Sequence, residues 1–103
     1  YAGNDKIIPF FQEMADGVHK HGAALMCQIT HLGRRSVSNA GDWLPIVAPS
    51  CVREEVHRGF PKIMEESDIR RIVKAYGAAA KRCQLGGLDG VEIEAYGHLF
   101  DAF

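Results

Sequence analysis

Gly86-Gly87-Leu88-Asp89-Gly90-Val91-Glu92-Ile93-Glu94-Ala95-Tyr96-Gly97-His98 is the stretch on which the fold turns. Val91, Ile93 and Ala95 alternate with Glu92 and Glu94, so a strand here sends the apolar set to one face and both carboxylates to the other. Tyr96 and His98 follow at its end. A strand face bearing charge must lie in water or against partners. Two settings meet that need: the interior of a parallel barrel near its open end, and an ordinary solvent-facing strand.

Working outward, Ile69, Ile72, Val73, Tyr76, Ala79, Ala80 and Cys83 form one stripe at helical spacing. Ser67 is placed to cap this helix, Asp68 suits its positive end, and Gly86-Gly87 stops it. Farther upstream, Ala23 to Thr30 is a short, mostly apolar run, as expected of a strand covered on both faces. Gln28 and Thr30 share one face and Cys27 and Ile29 the other, with His31, Arg34 and Arg35 just beyond. Ahead of that run, Ile7, Phe11, Met14 and Val18 predict a helix from about residue 5 to residue 20. Asn4 or Asp5 stands as its cap, Pro9 in its first turn and Gly22 as its stop. His19 and His21 read as a solvated helix end. Residues 32–66 lack periodicity and are read as one long βα loop, packed by Trp43 and Phe60, with Ala48-Pro49-Ser50 as an extended stop and His57 and Arg58 at the surface.

The order helix, strand, loop, helix, strand predicts an α/β fold with a parallel strand pair joined by a right-handed crossover. Both strands then end on the same rim. Gln28, Thr30 and His31 would emerge there with Glu94, Tyr96 and His98, at the strand ends where α/β folds bind ligands. Each residue also has a plainer role. Glu92 can be a paired interior carboxylate, Tyr96 can pack with its hydroxyl in water, and His31 can satisfy a loop carbonyl.

The chain has 103 residues, 47% of them hydrophobic, and a net charge of −1 with acids and bases interspersed. That balance suggests no nucleic-acid partner and no polybasic membrane patch. No apolar run approaches the ~20 residues of a membrane span. Cys27, Cys51 and Cys83 are few and far apart, which suits reduced thiols in a cytoplasmic protein and lacks the spacing of a metal site. The chain opens on Tyr1 and stops at Phe103 just after the polar cluster, so residues 1–103 are read as a fragment of one larger domain acting on a small molecule. Oligomeric state is not legible.

Two segments resemble the old yellow enzyme family of FMN-dependent oxidoreductases. One is Gly17-Val18-His19-Lys20-His21-Gly22-Ala23, continuing into Gln28-Ile29-Thr30-His31-Leu32-Gly33-Arg34. The other is Ala78-Ala79-Ala80-Lys81-Arg82 with Leu85-Gly86-Gly87-Leu88-Asp89-Gly90-Val91-Glu92-Ile93. Ala48-Pro49-Ser50 lies between them in the family's order. The resemblance implies a partial (β/α)8 TIM barrel, about two β/α units, with FMN as cofactor and Gln28 hydrogen-bonded to the pyrimidine edge of the flavin. Where alkene-reducing members carry His-x-x-His or His-x-x-Asn after the fourth strand, this chain has Glu94 and Gly97, with His98 one place later. A carboxylate would repel the oxyanion built up by hydride addition to an enone and would welcome a cation. The chain is therefore more similar to the amine-oxidising branch, which includes trimethylamine dehydrogenase and N-methylproline-type demethylases.

That similarity implies oxidation of an N-methylated amine or betaine, with Glu94, His98 and Tyr96 as catalytic candidates and Thr30, His31 and Arg34 at the rim. The alternative is NAD(P)H-dependent reduction of activated alkenes, of the enoate or dienoyl-CoA reductase type. The resemblance implies that an iron–sulfur cluster and FAD, which members of this branch often carry, would belong only to segments outside residues 1–103. From other classes, a barrel glycoside hydrolase and a barrel that binds a ligand without turnover remain as rivals.

Overall fold

The computed structural model describes residues 2–36 and 44–103, so Trp43 lies outside the described residues. A 3-10 turn over Asp5–Ile7 leads into helix α1, Ile8–His19. Strand β1 is Met26–Ile29, the two-residue strands β2 and β3 are Val47–Ala48 and Lys62–Ile63, helix α2 is Glu66–Leu85, and strand β4 is Gly90–Ile93. Further 3-10 turns cover Gly33–Arg35 and Phe100–Ala102. The chain divides into two compact units, Tyr1–Ile29 with Ile72–Ile93, and Thr30–Arg71 with Glu94–Phe103.

In the first unit β1 and β4 pair in parallel, with Cys27 opposite Val91, Gln28 opposite Glu92 and Ile29 opposite Ile93. The connection between them contains α2, as a parallel pair requires. Cys27, Ile29 and Val91 share the strand face packed with Ala79 and Cys83 of α2, in a core completed by Phe11, Tyr76 and Leu88. Cys83 is fully buried, and burial, followed by the neighbouring Cys27, pushes its thiol up to about 11. Both cysteines thus serve as small apolar side chains. The expected α2 stripe is narrower than its spacing suggested: Ile72, Ala79 and Cys83 are buried, whereas Ile69 and Val73 are exposed. On α1 the buried position is Ala15, and Met14 is exposed.

The helix ends follow their residues. Asn4 accepts the Lys6 N–H at 2.9 Å at the start of the first helical segment. At the end of α2 the Leu88 N–H reaches the Cys83 carbonyl and the Gly87 N–H the Gln84 carbonyl, with Gly87 at φ 76°. This is a Schellman stop, in which glycine adopts the left-handed conformation without a Cβ penalty. The start of α2 differs from expectation. The helix begins at Glu66, and Asp68 rather than Ser67 provides the cap, accepting the Glu65 N–H at 3.1 Å. Lys62 also pairs with Asp68, and together these hold its carboxyl below the usual carboxylate range.

His19 is likewise not a merely solvated helix end, because its Nε2 lies 2.8 Å from Asp89 Oδ2. The same oxygen accepts the Leu25 N–H at 2.7 Å, and Asp89 N–H returns to the Leu25 carbonyl. Seventy residues apart in the chain, these groups fasten the starts of β1 and β4. His19, then the Leu25 N–H, lowers the Asp89 carboxyl. A lowered carboxyl contributes stability above its unfolded value, and that contribution is lost as pH falls through its folded value. Asp89→Asn is therefore expected to destabilise the protein at pH 7, with the gap from wild type narrowing below about pH 4. Denaturant unfolding at pH 7 and in acid checks this, and a constant gap would place the effect outside the charge.

In the second unit the described part of residues 32–66 includes two short strands. Val47–Ala48 pairs in parallel with Lys62–Ile63, and Val47, Ala48 and Leu99 are buried. The turn over residues 53–60 closes through Glu54, whose backbone N–H meets the Gly59 carbonyl and whose carboxylate accepts the His57 N–H.

Candidate functional site

Gln28 lies in the first unit, on the exposed face of β1 beside its register partner Glu92. Its side-chain amide has no hydrogen-bond partner among the described residues, so both its donor and its acceptor are available to a ligand. This suits the pyrimidine edge of a flavin, which presents both kinds of group. Glu92 is exposed rather than buried in an ion pair.

Thr30, His31, Arg34, Glu94, Tyr96 and His98 all belong to the second unit. Two segments, residues 30–36 and residues 94–103, meet there through the Leu99 N–H and the His31 carbonyl at 3.0 Å. Gly33 makes the approach close: a Cβ there would stand 3.1 Å from Leu99 Cα, and its φ of 57° is one that side chains avoid. His31 Nδ1 accepts the Gly33 N–H at 3.0 Å, so the neutral ring carries its proton on Nε2.

Glu94 and His98 are brought together. Their Oε2 and Nε2 lie 3.6 Å apart, beyond hydrogen-bond length but close enough for charge interaction, and both side chains are partly buried. A proton on Nε2, facing the carboxylate, leaves Nδ1 as an acceptor. That Nδ1 is buried and has no hydrogen-bond partner among the described residues. Tyr96 is 83% exposed. Thr30 and Arg34 are exposed.

Arg35, named in the sequence only as following Arg34, also lies beside this turn. A Cβ built on Gly97 would lie 3.7 Å from its Nη1, so the guanidinium sits against the turn joining Glu94 to His98. Its place directly after Arg34 was the only available signal. Arg34 and Arg35 also border a cavity of about 560 Å³ with Arg53, Glu54 and His57. A second cavity, of about 440 Å³, lies between α2 and the start of β4, at the end of that strand away from Ile93. Among the described residues no cluster of three or more metal-binding side chains occurs, and no helix is long and apolar enough to cross a membrane.

The chain is 57% identical over 102 residues to a probable N-methylproline demethylase of Rhizobium meliloti, covering 99% of this chain and 15% of that protein. It is 52% identical over 99 residues to a multifunctional alkene reductase/demethylase of Caballeronia cordobensis, covering 96% of this chain and 15% of that one. Among solved structures it resembles the old yellow enzyme homologue from Zymomonas mobilis with a TM-score of 0.78 and 27% identity, over 91% of this chain and 29% of that one. The parallel β1–β4 pair with its helical crossover is consistent with part of such a barrel. Residues 3–103 match one family throughout, and the chain belongs to the NADH:flavin oxidoreductase / NADH oxidase family.

Proposed function

We propose that residues 1–103 form part of an FMN-binding (β/α)8 barrel whose enzyme oxidises an N-methylated amine or betaine. The observation that carries this reading is the carboxylate of Glu94 directly after β4, set 3.6 Å from the His98 ring. The demethylase names of the Rhizobium and Caballeronia relatives support it. Bound FMN would supply the acceptor for a hydride equivalent from the carbon next to nitrogen. Gln28 would hold the pyrimidine edge of the flavin.

The protein's share of the chemistry follows from charge. An N-methylated amine arrives largely as a cation, which Glu94 attracts. Its nitrogen needs a lone pair before the adjacent C–H bond can give up a hydride. In an amine that carries an N–H, His98 would take that proton and the neighbouring Glu94 carboxylate would steady the imidazolium that forms; a quaternary betaine has no N–H to give. The carbon–nitrogen double bond left behind is open to water, which releases the methyl carbon as an aldehyde.

Anaerobic bleaching of the flavin of the full-length enzyme by a panel of N-methylated amines tests the reading, set beside NAD(P)H-driven reduction of enones. Bleaching by amines supports it; brisk enone reduction with every amine ignored selects the alkene-reductase alternative, which the Caballeronia relative's double name keeps in view. Gln28→Ala is expected to weaken flavin retention by roughly 0.5–1.5 kcal/mol, the value of one uncharged hydrogen bond. Flavin content after dialysis is the measurement, and no change would remove Gln28 from the site.

A further inference from the structure

We propose that the cavity of about 560 Å³ in the second unit binds the diphosphate group of a nucleotide. The site uses other side chains than Glu94, His98 and Gln28, and it does not depend on the amine-oxidising reading. Two segments converge on this cavity, the 3-10 turn Gly33–Arg35 and the turn over residues 53–60, and between them they line it with Arg34, Arg35 and Arg53. Its volume lies within the range of small-molecule sites.

These charges are not spent within the protein. Among the described residues the side chains of Arg34 and Arg35 have no hydrogen-bond or ion-pair partner. Arg53 is held by groups that leave its charge unpaired: its Nε donates to the Arg58 carbonyl at 3.3 Å, and its guanidinium carbon stands 5.9 Å from the centre of the Phe60 ring. Both contacts steady the guanidinium and leave its terminal N–H groups for a ligand. Of the two carboxylates at the cavity, Glu54 is buried and turned to its own loop, where it accepts the His57 N–H and lies 3.1 Å from the His57 ring. Glu55 is exposed, so three guanidiniums face one uncommitted carboxylate.

A diphosphate matches that excess. It carries more than one negative charge and oxygens on two adjoining centres, so planar forks from two segments can engage it at once, whereas a single carboxylate would engage one. Val52 and Val56 line the same cavity and are 51% and 77% exposed. They offer apolar contact to a ligand that is more than an inorganic anion, and the sugar and base of a nucleotide supply the matching surface.

Calorimetric titration of the full-length protein with ADP, inorganic pyrophosphate and adenosine tests the site, with flavin content as the check on folding. ADP is expected to bind more tightly than pyrophosphate, and adenosine far more weakly than either. Arg53→Gln and Arg35→Gln should each raise Kd for ADP and for pyrophosphate by about 10-fold, the loss of one charge-assisted contact. The second variant matters because Arg35 makes no side-chain hydrogen bond or ion pair among the described residues that its loss could break. A fall in affinity there is therefore not a folding effect. Val52→Asn should weaken ADP while leaving pyrophosphate unchanged. A nucleotide held elsewhere on the full-length protein is set apart by its indifference to both arginine variants. If all ADP binding is of that kind, or none is found, the assignment is wrong. Equal affinities for ADP and pyrophosphate would overturn the nucleotide and leave a site for inorganic anions.

Discussion

Glu94→Gln in the full-length flavoenzyme should slow amine-driven bleaching by on the order of 10²-fold while leaving flavin content nearly unchanged. The variant keeps the shape of the side chain and removes its charge, so the loss measures the counter-ion and not the packing. A loss of that size is comparable to deleting one group that stabilises charge in a water-poor site. His98 should be affected too, because its Nε2 would face a neutral amide 3.6 Å away instead of a carboxylate. The opposite arm uses Glu94→His, which introduces a hydrogen-bond donor where the family resemblance implies one for alkene reduction, and turnover of a cyclic enone should improve. Should wild type and Glu94→Gln bleach equally fast with every amine, Glu94 is scaffolding.

The parts of this fold that were legible in the sequence are those governed by local pattern. The α2 stripe, the Gly86-Gly87 stop and the alternation from Val91 to Ile93 each depend on residues a few positions apart, and each corresponds to an element of the structure. β4 was expected to reach Ala95 but ends at Ile93, where its partner β1 ends at Ile29. A strand's length is set by what it pairs with, which alternation cannot show. β2 and β3 have two residues each and hence no period to detect. The His19–Asp89 bond joins groups seventy residues apart, so nothing near either one announces it.

The candidate site was legible to the same extent and for the same reason. Glu94 and His98 are four residues apart, and a turn brings them together. Arg35 lies against Gly97 where Gly33 also passes close to Leu99, contacts between distant segments. The unpartnered Nδ1 of His98 is a property of packing, and composition carries no trace of it.

Gly86→Ala should be among the most destabilising single changes in the first unit, although it adds one carbon. The Cβ would stand 2.4 Å from Phe11 Cβ and 3.2 Å from the Arg82 carbonyl. A side chain's far end could rotate away, but Phe11 Cβ is fixed to the backbone of α1, so α1 itself would have to move. The contact is also pinned by Gln12 Nε2, which donates to the Leu85 carbonyl at 3.2 Å, and by Arg82, which pairs with Asp5 and donates to the Ala2 carbonyl. Overpacking against such a constraint costs about 1–3 kcal/mol. Gly17→Ala is the control, because a Cβ there meets nothing within 4 Å and the residue lies inside α1. It should stabilise by roughly 0.5–1 kcal/mol, since alanine is the better helix former. Denaturant midpoints for both variants decide the matter: opposite shifts locate the close approach of α1 at Gly86, whereas a neutral Gly86→Ala would mean that α1 is free to move away from the end of α2.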